Sequence, residues 1–223
     1  NRALLGIIVA AIFVLLSQLT VMSLAGYVYP NVYGSAAAQS TASLLGTVIM
    51  LIVCAPFASK LAAKFGKKEL AVASSICSAL VWLVCLIWRP ASVWGFVACY
   101  ILANVGMGFF NTIIWAMITD VIDDAEVRSG IREDGTIYSV YSFARKLGQA
   151  FSSGLVGALL GIIGYTEATA FDPAVTRGIF NMACIAPIIG FVCIVLALVF
   201  LYPLNKKKVE ENVAALAARR NSK

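Results

Sequence analysis

The sequence predicts an all-α membrane protein with six membrane-spanning helices. Of its 223 residues, 61% are hydrophobic and only 13% are charged, whereas soluble domains are about 25% charged. The apolar residues form long continuous runs, and about 20 of them in a row are enough for a helix to cross the hydrocarbon core. Because polar and apolar residues do not alternate within the runs, they predict helices rather than the strands of a membrane barrel.

Six runs reach spanning length and divide the chain into a transmembrane bundle over residues 1–203 and a cytoplasmic tail over 204–223. The spans are expected at residues 3–29, 38–61, 69–88, 93–121, 136–163 and 178–202. The chain begins with Asn and not with Met. We therefore expect it to be a fragment or the second part of a longer protein.

The placement of lysine and arginine orients these helices. With the first residue in the cytoplasm, all 17 Lys and Arg residues except Arg89 and Arg177 fall on the cytoplasmic half. Cytoplasmic loops of membrane proteins carry such an excess. We expect a multi-pass protein of the plasma (inner) membrane with both ends of this segment cytoplasmic. The net charge of +6 then reflects topology and not nucleic-acid binding.

The first span has a modest polar face. In the first span, Thr20, Ser23 and Tyr27 recur at i, i+3 and i+7, and hydrogen bonds to neighbouring helices explain this face as well as ligand contact does. Pro56 in the second span and Pro187 in the sixth are expected to kink their helices, because proline lacks a backbone donor.

The fourth span has one polar face that includes a tryptophan. Its members are Asn104, Gly108, Asn111, Thr112, Trp115 and Thr119. An indole flanked by amides and hydroxyls suits a sugar, whose C–H face stacks on the ring while its hydroxyls form hydrogen bonds. The alternative is that Trp115 belongs to the belt of tryptophans at the membrane interface, and periodicity alone leaves both interpretations open.

The fifth span carries a polar stripe at membrane depth, within an arc of roughly 140° at helical periodicity. Its members are Tyr138, Tyr141, Ser142, Arg145, Lys146, Gln149, Ser152 and Ser153. A charge at this depth costs roughly 2.5–3.5 kcal/mol on insertion scales and marks a wet cavity or a partner. The alternative for Arg145 is that it snorkels to the headgroups. That alternative is weaker for Lys146, because the stripe continues deeper to Ser153.

The loop predicted at residues 122–135 alternates acidic and basic side chains. Asp120, at the end of the fourth span, lies off that span's polar face, so it is expected to be an ion-pair partner rather than a ligand. Together with Asp123, Glu126, Arg132 and Arg145, it forms a candidate cytoplasmic gate of salt bridges. The alternative is a solvated loop, because exposed pairs contribute only about 0–1 kcal/mol.

Two further segments have simple structural interpretations. Gly154, Gly157, Gly161 and Gly164 form a seam of small residues, which predicts close helix packing. In the tail, Val209, Val213 and Leu216 lie at i, i+4 and i+7 and predict a short helix with one weak apolar face. A solvated tail is favoured there over a regulatory helix.

Three segments around the charged loop carry a family resemblance: DVIDDAE at 120–126, REDGTIYSV at 132–140 and KLGQAF at 146–151. They resemble the tenth and eleventh helices of the glycoside–pentoside–hexuronide:cation symporters, a family of the major facilitator superfamily with twelve helices in two halves. NRALL at 1–5 resembles the start of the seventh helix, and FGKK at 65–68 the loop between helices eight and nine. The resemblance implies that the chain is a C-terminal half.

The resemblance also implies roles for individual residues. Trp115 matches the family's sugar platform, and Lys146 matches a lysine near the sugar and cation sites. Tyr141 and Ser142 match sugar-contact positions that are Gln and Thr in the melibiose carrier. With Asn111 and Gln149 from the polar faces, these are the expected substrate-binding residues. In chain order, the expected set is Asn111, Trp115, Tyr141, Ser142, Lys146 and Gln149.

The expected function is transport of a sugar or glycoside coupled to Na⁺ or H⁺. No cofactor is expected, and the missing N-terminal six-helix half would supply most ligands of the coupling ion. The alternatives are a lipid or lysolipid carrier on the same scaffold and a membrane enzyme. The chain has no histidine and no CxxC pair, which argues against a metal site. A Ser142–Lys146 dyad is the one remaining enzymatic candidate.

Overall fold

The computed structural model describes residues 1–221. Ser222 and Lys223 of the predicted tail lie outside the described residues. Every regular element in the described range is helical. The helices are α1 Arg2–Tyr27, α2 Ala36–Ile49, α3 Ala55–Phe65, α4 Lys67–Trp88, α5 Val93–Ser129, α6 Asp134–Ile162, α7 Pro173–Leu196 and α8 Lys206–Asn221.

Wider π-helical turns continue three of the spans. They lie at Val28–Val32, Met50–Cys54 and Ala197–Leu201. The second of them joins α2 to α3 and ends just before Pro56, which occupies the first turn of α3. A proline is tolerated there because the first amides of a helix have no partner within that helix.

Five helical segments are long and apolar enough to cross a membrane, which confirms the all-α membrane architecture. They are Arg2–Val32, Ala36–Phe65, Lys67–Trp88, Val93–Ser129 and Pro173–Leu201. The other predicted span is present as α6, which has 29 residues and is therefore about 43 Å long. It is longer than the hydrocarbon core, which is about 30 Å thick. It is not among the five apolar segments because Arg145 and Lys146 lower its mean hydropathy.

Two helix ends differ most from the sequence prediction. The predicted loop after residue 121 is wrong in its first part, because α5 continues to Ser129 and ends at Gly130, which has a φ of +76°. Asp124 and Arg128 form an i,i+4 ion pair at 2.9 Å, which favours helix beyond the membrane. The last span begins at Pro173, five residues earlier than expected, because proline suits the first turn of a helix.

Helix α1 is the centre of the packing. It lies against both α6 and α7; α7 also packs on α4, α4 on α5, and α5 on α2. Glycines allow the closest approaches. A Cβ at Gly148 of α6 would lie 2.8 Å from the carbonyl oxygen of Ile12 in α1, and one at Gly106 of α5 would lie 2.7 Å from the carbonyl oxygen of Ser74.

The glycine seam predicted at the end of α6 is not a packing surface within residues 1–221. A Cβ added at Gly154, Gly157 or Gly161 would meet no atom within 4 Å. Gly164 instead ends the helix in a left-handed turn, with a φ of +71°. The close contact with α1 lies earlier, at Gly148, so spacing alone placed the interface on the wrong turns.

The tail is a helix and most of its residues are exposed, as expected for a solvated segment, but one face of the helix is buried. Helix α8 returns to the bundle and packs on α5. Asn212 and Leu216 are only 3% and 5% exposed. Val213, on the other side of the helix, is 53% exposed. A polar side chain, Asn212, therefore forms part of the buried face, and the apolar spacing of the tail did not indicate it.

Candidate functional site

Three side chains from α5 and α6 form an aromatic and cationic cluster. The rings of Trp115 and Tyr141 meet edge to face, with their centroids 5.4 Å apart. The guanidinium carbon of Arg145 lies 5.5 Å from the Trp115 ring centre and 5.7 Å from that of Tyr141. Arg145 Nη1 also donates to the Tyr141 hydroxyl at 3.2 Å. These distances are within the range of cation–π contacts.

The two rings of the cluster differ in exposure. Tyr141 is fully buried, whereas Trp115 is 48% exposed. Tyr141 lies on the inner face of α6 with other buried side chains one helical turn apart, among them Ile137 and Ala144. The buried tyrosine fixes the position of the indole edge, and the indole presents the rest of its surface to the outside of this bundle.

An amide pair connects α5 to α1. Asn111 Nδ2 donates to Gln18 Oε1 at 3.4 Å. Gln18 was not among the expected polar residues, because the polar face of the first span was assigned to Thr20, Ser23 and Tyr27. Gln18 lies about 200° around the helix from Thr20. An amide in the middle of an apolar span was itself a signal, because such groups need a partner at membrane depth.

The structure divides the polar stripe predicted on α6. Tyr141 and Ser152 are buried, Gln149 is half-buried, and Ser142 and Lys146 are exposed. Within residues 1–221, Lys146 Nζ has no hydrogen-bond or ion-pair partner. Nor is Ser142 hydrogen-bonded to Lys146 in that range, as a catalytic dyad would require. The stripe thus has a packed edge and an open edge, and the lysine lies on the open one.

Arg145 does not join the acidic residues with which the sequence analysis grouped it. Its described contacts are with Trp115 and Tyr141. The helical position of Arg145 is one turn after Tyr141, which directs its long side chain along α6 toward the facing indole of α5. Helical spacing could not show this, because it does not specify which neighbouring helix faces a residue.

A buried ion pair joins α4 to α5 at one end of the bundle. Lys67 Nζ contacts Asp120 Oδ1 at 2.6 Å and the carbonyl oxygen of Ala116 at 3.4 Å. Asp120 is only 5% exposed. Nearby, Lys68 Nζ donates to the carbonyl oxygen of Tyr202 at 2.6 Å. The two lysines of the FGKK segment therefore connect α4 to α5 and to the end of the last span.

Arg132 is the centre of an acidic cluster between α5 and α6. Its guanidinium lies 2.9 Å from Asp123, 2.8 Å from Glu126 and 2.9 Å from Asp134. Hydrogen bonds to Glu126 and then to Asp123 raise the pKa of Arg132 above its ordinary value. Arg132 therefore remains cationic at every pH at which the protein is folded.

Helix α8 holds the same end of α5. Asn212 Nδ2 donates to Asp124 Oδ1 at 3.1 Å, and Asp124 is 1% exposed. Arg219 Nη2 donates to the carbonyl oxygen of Val127 at 2.9 Å, and Arg220 lies 3.6 Å from Glu126. The bond from Arg219 satisfies a carbonyl at the C-terminus of α5, where cations are favourable. We refer to the contacts of Lys67, Asp120, Arg132 and α8 as the charged end of the bundle.

Comparisons with known proteins agree with this arrangement. The family described as "MFS/sugar transport protein" matches residues 1–206. The chain is 27% identical to the "Glucuronide carrier protein homolog" of Escherichia coli (strain K12), over 99% of this chain and 48% of the relative. It is 32% identical to the "Uncharacterized symporter YjmB" of Bacillus subtilis (strain 168), over 74% of this chain and 35% of the relative.

A third relative carries the coupling mode in its name. The chain is 34% identical to the "Putative glycoside/cation symporter YagG" of Escherichia coli (strain K12), over 45% of this chain and 23% of the relative. The chain spans about half the length, or less, of the curated relatives it matches.

Proposed function

Since the chain belongs to the MFS/sugar transport protein family, we propose that it forms the C-terminal half of a secondary transporter for a sugar or glycoside, coupled to Na⁺ or H⁺. A second six-helix half would complete the cavity, and both halves would rock about a site near the middle of the bilayer. The names of the glucuronide carrier homolog and of the glycoside/cation symporter support this substrate class and the coupling.

The observation that carries the proposal is the half-exposed Trp115 held by Tyr141 and Arg145. An indole fixed at one edge and open on the rest of its surface suits the C–H face of a sugar ring. Asn111 and Gln18, already paired at 3.4 Å, add amide groups that can bond sugar hydroxyls. A rigid aromatic with adjustable polar neighbours is the arrangement that orients a small polar ligand.

The open edge of α6 would face the other half. Ser142 and Lys146 are exposed there, and Gln149 is half-buried beside them. A lysine without a partner at membrane depth is costly, so we assign Lys146 to an anionic group of the substrate or to an acidic side chain of the other half. The coupling ion would bind mainly in that missing half.

The charged end would close the cytoplasmic side of the cavity. Asp120, Asp123, Glu126 and Arg132 would act as its gate, because their ion pairs connect α4, α5 and α6 at a single end. Opening inward would break some of these pairs. In this arrangement Arg145 acts at the sugar platform instead of the gate, since its guanidinium lies against Trp115.

The test is solute uptake by the full-length protein in membrane vesicles, with a glucuronide as the first solute and either a Na⁺ or a proton gradient. Trp115→Ala and Lys146→Ala should abolish uptake while the protein still reaches the membrane. Trp94→Ala is the matched control, because Trp94 is 59% exposed but lies at the start of α5. Normal uptake by both site variants would refute the assignment.

A further inference from the structure

A cavity of about 370 Å³ lies at the end of the bundle opposite the charged end. Its walls come from the turn after α1, the end of α4 and the first turn of α7. Two of the residues that line it are Arg89 and Arg177. They are the same two cations that depart from the charge asymmetry of the rest of the chain, and helices remote in sequence bring them to one place.

The electrostatic character of this cavity is cationic. No acidic residue lines it. Within residues 1–221 the guanidinium of Arg177 has no hydrogen-bond or ion-pair partner, and that of Arg89 bonds the neutral Asn181 Oδ1 at 3.1 Å. The nearest carboxyl in sequence is that of Asp172, the N-cap residue of α7, and it is not ion-paired to either arginine in the described range. The two guanidinium groups therefore leave several N–H donors available to an anion.

The backbone at Arg89 adds an independent observation. Arg89 has a φ of 47° and a ψ of 68°, and it is the one non-glycine residue with positive φ in the described range. The residue follows the last turn of α4, a position where glycine is favoured because a side chain is strained there. A non-glycine residue that is kept in a strained backbone conformation suggests a function for its side chain.

The first turn of α7 lies on the same cavity. Pro173 and Thr176 line it, and α7 has 24 residues. The helix dipole at this N-terminus favours negative charge, whereas the backbone of these two residues offers no free donor, because Pro173 has no N–H and the Thr176 N–H bonds the carbonyl oxygen of Asp172 at 2.9 Å. The dipole and the two guanidinium groups therefore all attract a negatively charged group bound in the cavity.

We propose that this cavity is an oxyanion-binding site, which takes the carboxylate of a soluble sugar acid or the phosphate of a lipid headgroup. The two sources share the same chemistry: a planar or tetrahedral oxyanion accepts paired N–H bonds from arginine. The site is distinct from the Trp115 platform and does not depend on it. If the transport proposal also holds, an anionic solute would contact this cavity before it enters the central one.

The experiment is arginine labelling with phenylglyoxal, read out peptide by peptide by mass spectrometry. The full-length protein is reconstituted in nanodiscs of phosphatidylcholine, and labelling of Arg177 is measured with D-glucuronate and with its neutral counterpart D-glucose. A second preparation in phosphatidylglycerol tests the lipid source. Arg220, at the charged end, is the internal control, and its labelling should not respond to D-glucuronate.

We expect glucuronate near ten times its dissociation constant, or phosphatidylglycerol, to slow labelling of Arg177 roughly tenfold, because only the unoccupied fraction reacts. Glucose should have no effect. Protection by glucuronate in neutral nanodiscs identifies the sugar acid as a ligand, and protection by phosphatidylglycerol alone identifies the headgroup. Equal labelling under all conditions overturns the site.

Variants separate this proposal from a structural role and from transport. Arg89→Gly relieves the backbone and removes the charge, so a site that uses Arg89 should lose most of the protection of Arg177, whereas Arg89→Lys should keep part of it. Full protection in Arg89→Gly would show that Arg89 only ends α4 and would exclude it from the site. Trp115→Ala should abolish uptake and leave protection intact, so the two proposals fail independently.

Discussion

The guanidinium of Arg145 covers the ring of Trp115 at 5.5 Å. This contact joins α6 to α5 at the proposed sugar platform, although α6 packs mainly on α1. In the proposed transporter, a bound sugar would have to share the indole with the arginine or displace it. The same contact keeps a positive charge at membrane depth next to a π-system, which is one of the few favourable environments available there.

Replacing Arg145 should weaken substrate binding more than protein stability. A cation–π contact contributes about 0.5–2 kcal/mol, so Arg145→Gln is expected to raise the KM for uptake roughly 2- to 30-fold. Arg145→Lys keeps the charge, so its KM should lie between those of the parent and of Arg145→Gln. Uptake kinetics in proteoliposomes measure these KM values, and an unchanged KM in Arg145→Gln would contradict the role at the platform.

Breaking the Lys67–Asp120 pair should destabilise the bundle, and the loss should depend on which partner is replaced. Removing one partner of a fully buried pair costs about 3–5 kcal/mol, and because the Lys67 side chain is 32% exposed we expect the low end. Lys67→Met leaves a buried carboxylate without its partner, so its Tm should fall further than that of Asp120→Asn. The double variant should recover part of the loss. Additive losses would show that the two residues are not coupled.

The close approach of α6 to α1 predicts contrasting effects of two glycine substitutions. Gly148→Ala places a Cβ 2.8 Å from the carbonyl oxygen of Ile12, and overpacking of this kind costs about 1–3 kcal/mol. Gly154→Ala adds a methyl group that meets nothing within 4 Å and should not reduce stability. Thermal unfolding of the purified full-length variants compares them, and equal Tm values would place the α1–α6 contact elsewhere.

The docking of α8 predicts that a polar residue of the tail matters for stability. Asn212→Ala removes the shorter of two hydrogen bonds to the buried Asp124 Oδ1, at 3.1 Å, and leaves the one from Arg128 Nη2 at 3.4 Å. We therefore expect the low end of the cost of about 1–3 kcal/mol for an unsatisfied buried group. Val213→Ala, one residue on and 53% exposed, should stay within about 0.5 kcal/mol of the parent. Limited proteolysis at the tail should follow the same order. Equal sensitivity in both variants would indicate a solvated tail.

The contribution of the Arg132 cluster to stability should depend on salt concentration and not on deprotonation of the arginine. The raised pKa of Arg132 means that its stabilising charge is fully present below its ordinary pKa and is lost only when the pH rises through the higher folded-state value, far above the working range. Each half-exposed pair contributes at most about 1 kcal/mol. The Tm difference between the parent and Arg132→Gln should therefore be small and should shrink at 1 M salt, where screening acts within about 3 Å. A difference independent of salt would indicate another role for Arg132.

The family resemblance carried by the segments at 120–126, 132–140 and 146–151 is confirmed by the family match over residues 1–206 and by the named relatives. Those segments were informative because charges are rare in spans and stand out against an apolar background. Trp115 and Tyr141 were each predicted on a polar face of their own helix, and in the structure Trp115 is half-exposed whereas Tyr141 is buried on the inner face of α6. The contact between them was not predictable, because periodicity assigns a face within one helix but not the helix that it meets.

The predictions that the structure did not support have the same origin: they depend on contacts between helices, which spacing along one helix does not show. The seam at Gly154 and Gly157 has the spacing of a packing motif, yet α6 meets α1 at Gly148, which the motif does not contain. The tail has only a weak apolar face, and its docking depends on hydrogen bonds from Asn212 and Arg219 to groups on α5. Gln18 was overlooked because its partner, Asn111, lies 93 residues away.

The sequence by itself determined the membrane setting, the helical composition and the family, because each follows from composition, from run length or from local motifs. Only the tertiary structure decided which charges are paired, which are free and which lie together. Arg145 lies on Trp115, Lys146 remains without a partner in the described chain, and Arg89 and Arg177 share one cavity. These relationships depend on the rotation and crossing of whole helices, which are set by the packing of many side chains at once.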